Sequence, residues 1–275
     1  CADEGIPFVL GHALYMKAIH GGKAKNDKID SRKIAILLRS GAFPYAYVYP
    51  RQMRSTRDLL RRRLHFTRKR AELLTHIQNT FTQYNLPMPS GQLTPAAGRE
   101  GLPELFDDPA VRATIRADLS LLDHYDTLIP QLEHTVLQLA RVHDPDTLRL
   151  LMTIHGVGKV LGLTLLYEIG DIARFPSAQD FSSYGRLIKC AKESDGKPLG
   201  VSGAKIGNAH IKWAFSEAAV CFLLRNPPGH AYLQRLRKKH AKGKALSVLA
   251  AKLGRATYFM LKQQTTFDMN RFLSH

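Results

Sequence analysis

The chain has 275 residues, 44% of them hydrophobic, and carries 40 Lys and Arg against 23 Asp and Glu, a formal net charge of +17. That length admits two domains or one domain with a long helical extension, and the charge favours a phosphate-rich partner over a neutral or acidic one. No apolar run approaches the about 18 residues of a membrane span, no signal peptide opens the chain, and three scattered cysteines without a CxxC exclude a zinc ribbon or a disulfide framework, so a reducing cytoplasm is the default compartment.

In chain order, Ile6 to Leu10 (IPFVL) reads as a short buried strand. Asn26 or Asp27 caps a helix that runs to about Ser40, with Gly41 as its stop. Pro44 and Pro50 bracket AYVY, a short strand or extended connector. A long helix then runs from Arg51 to about Tyr84, with Leu59, Leu60, Leu64, Leu73, Leu74, Ile77 and Phe81 as its apolar stripe. LPMPSGQLTP breaks the chain, and a second long helix follows from Pro109 to about His143, with Pro130 as a potential kink. The two long helices form an antiparallel hairpin or a coiled coil, packed on each other or paired between protomers. Beyond His143 the chain is mainly helical: helix, glycine turn and helix over 150–175, then amphipathic helices over 206–225 and 246–262. The expected fold is mainly α, divided at 1–50, 51–147 and 148–275.

Charge follows the same division. Residues 1–90 hold 16 cations against 6 acids, residues 91–147 hold 4 against 10, and residues 148–275 hold 20 against 7. Two basic ends flank an acidic spacer, as two nucleic-acid contacts would require. Nine of the twenty residues from Arg51 to Arg70 are cationic and only Asp58 opposes them, so these side chains are expected to meet solvent or a polyanion. Arg54, Arg57, Arg61, Arg62, Arg63, Arg68, Lys69 and Arg70 are the candidate nucleic-acid contacts.

Three further constellations can carry chemistry. Asp27 and Asp30, three apart, share one helix face and can jointly hold a hard cation such as magnesium; equally, they can cap the helix and favour its positive end. HGVGK offers the backbone of Gly156 and Gly158, with Lys159, to a phosphate, as in a helix–hairpin–helix element, or is a simple helix–helix turn. In KCAKESDGKPLGVSGAKIGN, Ser194 lies between Lys192 and Lys197, with Lys205 further on beside Ser202. An exposed hydroxyl among cations can attack a phosphodiester, although Ser-Asp-Gly also makes an ordinary turn. KKHAKGK, 238–244, is a phosphate-binding surface or a solvated helix end.

Two segments carry a family resemblance. GKAKNDKIDSRKIAILLRSG resembles the part of the DEDD insertion-sequence transposases that holds the last two acids of their tetrad. TIHGVGKVLGLTLLYEIGDIARFPSAQDFSSYGRL, followed by KESDGK, SGAKIGN and KWAFSEAA in that order, resembles the C-terminal domain of the same "one-ten" family, now described as bridge-RNA-guided recombinases. The resemblance implies an RNase H-like (RuvC-type) α/β domain, a coiled-coil hairpin and a helical transposase domain. It places the third and fourth acids on Asp27 and Asp30, with Mg2+ as cofactor, and the serine nucleophile on Ser194. It further implies insertion-sequence ends and target DNA as substrates, a guide RNA, dimers or tetramers, and a bacterial, nucleoid-associated setting. Only five residues precede Ile6, and neither Asp3 nor Glu4 stands in a motif matching the family's first two acids. An N-terminally truncated copy, with a remnant of the α/β domain and half of its metal site, is therefore expected. The alternatives are a RuvC-like junction endonuclease using metal and water alone, and a non-catalytic nucleic-acid-binding protein.

Overall fold

A computed structural model describes residues 1, 3–16, 19, 26–87, 93, 96–194, 197–202 and 206–274, with backbone alone at 14, 96–97, 190–194 and 198–202. The chain forms two compact units, Cys1–Arg51 and Gln52–His275.

In the first unit, α1 spans Asp27–Arg39. Asn26 starts it, its side-chain oxygen accepting from the Ile29 N–H at 2.8 Å. Ser40 ends it, and Gly41 follows with φ +72°. The IPFVL run is not a buried strand. Ile6 and Phe8 are 57% and 59% exposed, and the segment touches a neighbour only through the bridge of Gly11 with Tyr45 and flanking bonds to Pro44 and Ala46. A buried strand needs partners and cover on both faces, and the described residues supply one short contact.

The second unit begins in a helical hairpin. Helix α2 (Arg51–Gln83) and helix α3 (Pro109–His143) run antiparallel. Arg63 meets Glu133, Arg70 meets Asp126, and His76 meets Asp118, so partners descend on one helix as they ascend on the other. The helices thus pack on each other within one chain. At the hairpin tip Ile77 and Phe81 of α2 join Ile115, Leu119 and Leu122 of α3 over Leu102 and Phe106. Pro130 is exposed and α3 runs through it.

At its other end the hairpin enters the main core through Leu60, Val136 and Ala140. Helices α4 (Pro145–Met152), α5 (Lys159–Ile169), α6 (Ala178–Tyr184), α7 (Ala209–Cys221), α8 (Pro227–Arg237), α9 (Lys242–Gln263) and α10 (Met269–Leu273) build that core. α5 is buried from Leu161 to Ile169, and the expected face Ile211, Phe215, Ala218 and Phe222 is wholly buried. The turn between α4 and α5 depends on Gly156, whose φ is +87°; a β-carbon there would stand 2.4 Å from the Phe222 nitrogen.

The stretch between α6 and α7 contains a β-hairpin. Strand β1 (Cys190–Ser194) pairs antiparallel with β2 (Lys197–Ser202), from Cys190 opposite Ser202 to Ser194 opposite Lys197. Asp-Gly between the strands is the strongest short-range hairpin signal, and it outweighs the helical surroundings.

Candidate functional site

The β-hairpin is the first element of the site. Ser194 closes β1 directly across from Lys197, which is exposed. The backbone places Lys192 two residues before Ser194 on the same strand, while Lys205 lies outside the described residues. The hairpin re-enters the core at Gly207 and Asn208. Gly207 has φ +102°, and a β-carbon there would come within 2.4 Å of the Tyr184 carbonyl oxygen. This close approach lets the Asn208 N–H donate to the same oxygen at 2.6 Å, so the exit of the hairpin is tied to the end of α6, from which it left.

Asn208 has a second role. Its side-chain oxygen accepts from the N–H groups of His210 and Ile211, capping α7. Its amide nitrogen donates to Glu168 at 2.7 Å. Glu168 is 1% exposed on α5, and two arginines of α2 reach it. Arg61 donates through Nε at 2.6 Å and Nη2 at 2.9 Å, and Arg57 through Nε at 3.0 Å. Burial pushes the Glu168 carboxyl upward, but the hydrogen bonds from Arg61 and Asn208 and the charges of both arginines outweigh it, so the group is held below the ordinary carboxylate range. Burial, with the surrounding Arg61, Arg68 and Arg57, holds neighbouring His210 low despite Glu168. One carboxylate therefore joins three parts: the basic helix, the core and the root of the serine hairpin.

The acid pair belongs to the first unit. Asn26 takes the capping role, and among the described residues no hydrogen bond engages the Asp27 or Asp30 carboxylate. Asp27 is exposed. Asp30 is half-buried, and its Oδ1 is shielded from solvent without a partner among the described residues. A shielded carboxylate oxygen without a donor is costly, and a cation relieves that cost. The pair therefore fits a hard divalent ion, whose remaining ligands would be water, phosphate or further carboxylates. Among the described residues no cluster of three or more His, Cys, Asp and Glu forms.

Residues 148–234 match the model of the transposase IS116/IS110/IS902 family, and residues 1–86 match a second transposase model, that of the DEDD transposases of IS110 type. The chain belongs to this transposase family. Its members are enzymes that act on DNA, and the DEDD transposases use a divalent metal. Over 255 residues the chain is 24% identical to a transposase for insertion sequence element IS1111A from Coxiella burnetii (strain RSA 493 / Nine Mile phase I), a match spanning 88% of this chain and 68% of that one. The first matched segment of the transposase contains the acid pair and α2. The second contains Glu168, the serine hairpin and Asn208. Among the described residues no helix is long and apolar enough to cross a membrane.

The candidate nucleic-acid residues of the transposase divide into two sets. Not all cations of α2 meet solvent or a polyanion. Arg57 and Arg61 bind Glu168, Arg63 binds Glu133, and Arg70 binds Asp126. Arg54, Arg62, Arg68 and Lys69 are exposed; Arg62 lies over the Phe66 ring and Lys69 pairs with Glu72. In the glycine turn, Gly156 faces inward against Phe222, whereas Gly158 has open space and Lys159 is exposed at the start of α5. Sequence reasoning missed Glu168 and Asn208. The available signal was a single acid inside the apolar helix KVLGLTLLYEI, since a carboxylate buried there needs partners.

Proposed function

We propose that this transposase cuts and rejoins DNA through a covalent link to Ser194. The observation that carries the reading is the place of Ser194, which ends β1 opposite Lys197 of β2, on a hairpin followed by Asn208, itself held by Glu168. A nucleophile needs a fixed support, and a hairpin anchored at its exit provides one. In the proposed step, the Ser194 hydroxyl oxygen forms a bond to the phosphorus of a DNA phosphodiester and gives up its proton. One bridging P–O bond breaks, and its oxygen leaves as the free hydroxyl of the cut strand. Attack by a strand hydroxyl on the serine ester reverses the step and joins a new strand. Lys192, Lys197 and Lys205 supply positive charge to the phosphate.

Asp27 and Asp30 would hold Mg2+, which when bound supplies charge stabilisation to the phosphate and to the attacking oxygen. In this reading, residues 1–50 are the metal-binding part of an RNase H-like domain, 51–147 a hairpin and 148–275 the serine-bearing domain. Arg54, Arg62, Arg68 and Lys69 hold nucleic acid through its backbone, with Gly158 and Lys159 as a second phosphate contact. Sequence choice falls to base pairing with a guide RNA, because backbone contacts read no sequence.

The test uses the full chain with labelled insertion-sequence-end DNA, candidate guide RNA and Mg2+. A DNA-linked protein band that survives denaturation is expected. It should vanish with Ser194→Ala and with chelation, and fall at least about ten-fold with Asp27→Ala or Asp30→Ala. Cleavage without any linked band, unaffected by Ser194→Ala, would establish a metal-and-water nuclease instead. DNA binding without cleavage, insensitive to all three variants, would leave a binding protein.

A further inference from the structure

The C-terminal helices form a cavity of about 340 Å³, lined by α9, α10 and the turn between them. Lys252, Arg255, Phe259 and Gln263 line it from α9. Their spacing of 3, 4 and 4 puts them on one helix face. This face does not join the core: Phe259 is 39% exposed, and Arg255 and Gln263 are exposed. Arg271 and Asp268 close the other side, above the buried Phe272.

The lining combines three cations with one acid. Asp268 is already engaged, since its Oδ1 accepts from the Arg271 N–H at 3.0 Å and caps α10. Among the described residues no carboxylate forms an ion pair with Arg255 or Arg271. The Arg255 guanidinium lies 5.6 Å from the centre of the Phe259 ring, and the Lys252 ammonium 4.2 Å from that of Tyr232. Aromatic surface and cations therefore meet at the cavity, with Gln263 and Thr266 also in its lining.

We propose that this cavity takes one unstacked nucleotide of a single strand, its base against Phe259 and its phosphate between Arg255 and Arg271. An aromatic wall with a few placed polar groups is the makeup of a small-ligand site. Aromatic faces stack on any base while cations follow the backbone, the two elements of single-strand recognition. A duplex keeps its base faces covered and cannot use the wall. An acidic peptide would satisfy the cations and leave the wall unused. The site goes beyond strand transfer and needs neither Ser194 nor metal, so it stands or falls separately.

The experiment follows binding by the full chain, in chelator, of single-stranded oligo-dT and oligo-rU, each with one 2-aminopurine, beside a duplex and polyglutamate. The wild-type chain should quench the 2-aminopurine. Phe259→Leu should abolish the quench and weaken single-strand binding roughly ten-fold, leaving duplex binding unchanged. Arg255→Ala and Arg271→Ala should each lower the single-strand salt slope by about 0.7. Quenching of both strands assigns the site to base and phosphate; quenching of one alone identifies DNA or RNA as the source. Thermal melting should match the wild type for Phe259→Leu, because that ring lies outside the core. The proposal is overturned by an unchanged quench in that variant, by an equal loss on the duplex, by no single-strand binding, or by polyglutamate competing as well as the oligonucleotides.

Discussion

The arginines of α2 fall into two sets that use the same residue type for opposite purposes. In the carboxylate-bound set Arg57 and Arg61 reach a carboxylate that is 1% exposed, and Arg63 and Arg70 reach acids of α3. In the exposed set are Arg54, Arg62 and Arg68. The two sets are interleaved, since Arg54, Arg61 and Arg68 recur at seven-residue spacing and share one stripe of the helix. The acidic middle of the chain, which in sequence looks like a spacer that avoids nucleic acid, supplies Glu133 and Asp126 as partners for half of the carboxylate-bound set. The charge left for a polyanion is smaller than the count of cations implies.

The strongest way to break this contrast is to remove the buried acceptor, Glu168. Glu168→Ala leaves two arginines and the Asn208 amide without their partner, and should lower unfolding stability by about 3 kcal/mol, less than a fully buried pair because Arg61 is partly solvated. Urea denaturation measures it; a loss below about 1 kcal/mol would mean that the Arg57 and Arg61 bonds to Glu168 are not structural.

Acid should act in the same direction and more gradually. Because Glu168 is held low in the folded chain, the unfolded chain takes up its proton first as pH falls. Its contribution is complete above about pH 5 and is lost as pH drops through the folded value below the usual carboxylate range. Burial raises the Asp126 carboxyl, but Arg70 and Arg99 outweigh it, so Asp126 adds a loss of the same sign. Denaturation midpoints at pH 7 and pH 4 should differ less for Glu168→Gln than for the wild type.

The exposed set should show the smallest stability effect and the clearest binding effect. Replacing Arg54, Arg62 and Arg68 together by Ala should change stability by no more than about 0.5 kcal/mol per site, while the duplex salt slope falls by about 2.7. Filter binding across a salt series checks this. An equal fall in slope for Arg63→Ala would show that pairing with Glu133 does not withhold that cation.

Much of the architecture was legible in the chain. Leu60, Leu64, Ile77 and Phe81 follow a helical period, Pro109 opens a helix and Gly41 closes one, and the structure places helices accordingly. The partners of the arginines were not legible, because Arg61 and Glu168 are 107 residues apart and no local pattern links them. Similarly, IPFVL has the composition of a buried strand, yet whether a strand is buried depends on what lies beside it. The serine hairpin lies between these cases. Asp-Gly announces its turn locally, but its attachment through Gly207 to Tyr184 is a contact between distant parts of the chain.

Local spacing along the chain was sufficient for the helices, the break between the two long ones, the acid pair and the basic character, since each depends on neighbours within a few residues. Which cations are neutralised, which carboxylate is buried and what supports Ser194's strand depended on how the helices came together. Burial and ion pairing are properties of space, and a charge surrounded by water in the extended chain acquires its role only when packing removes that water.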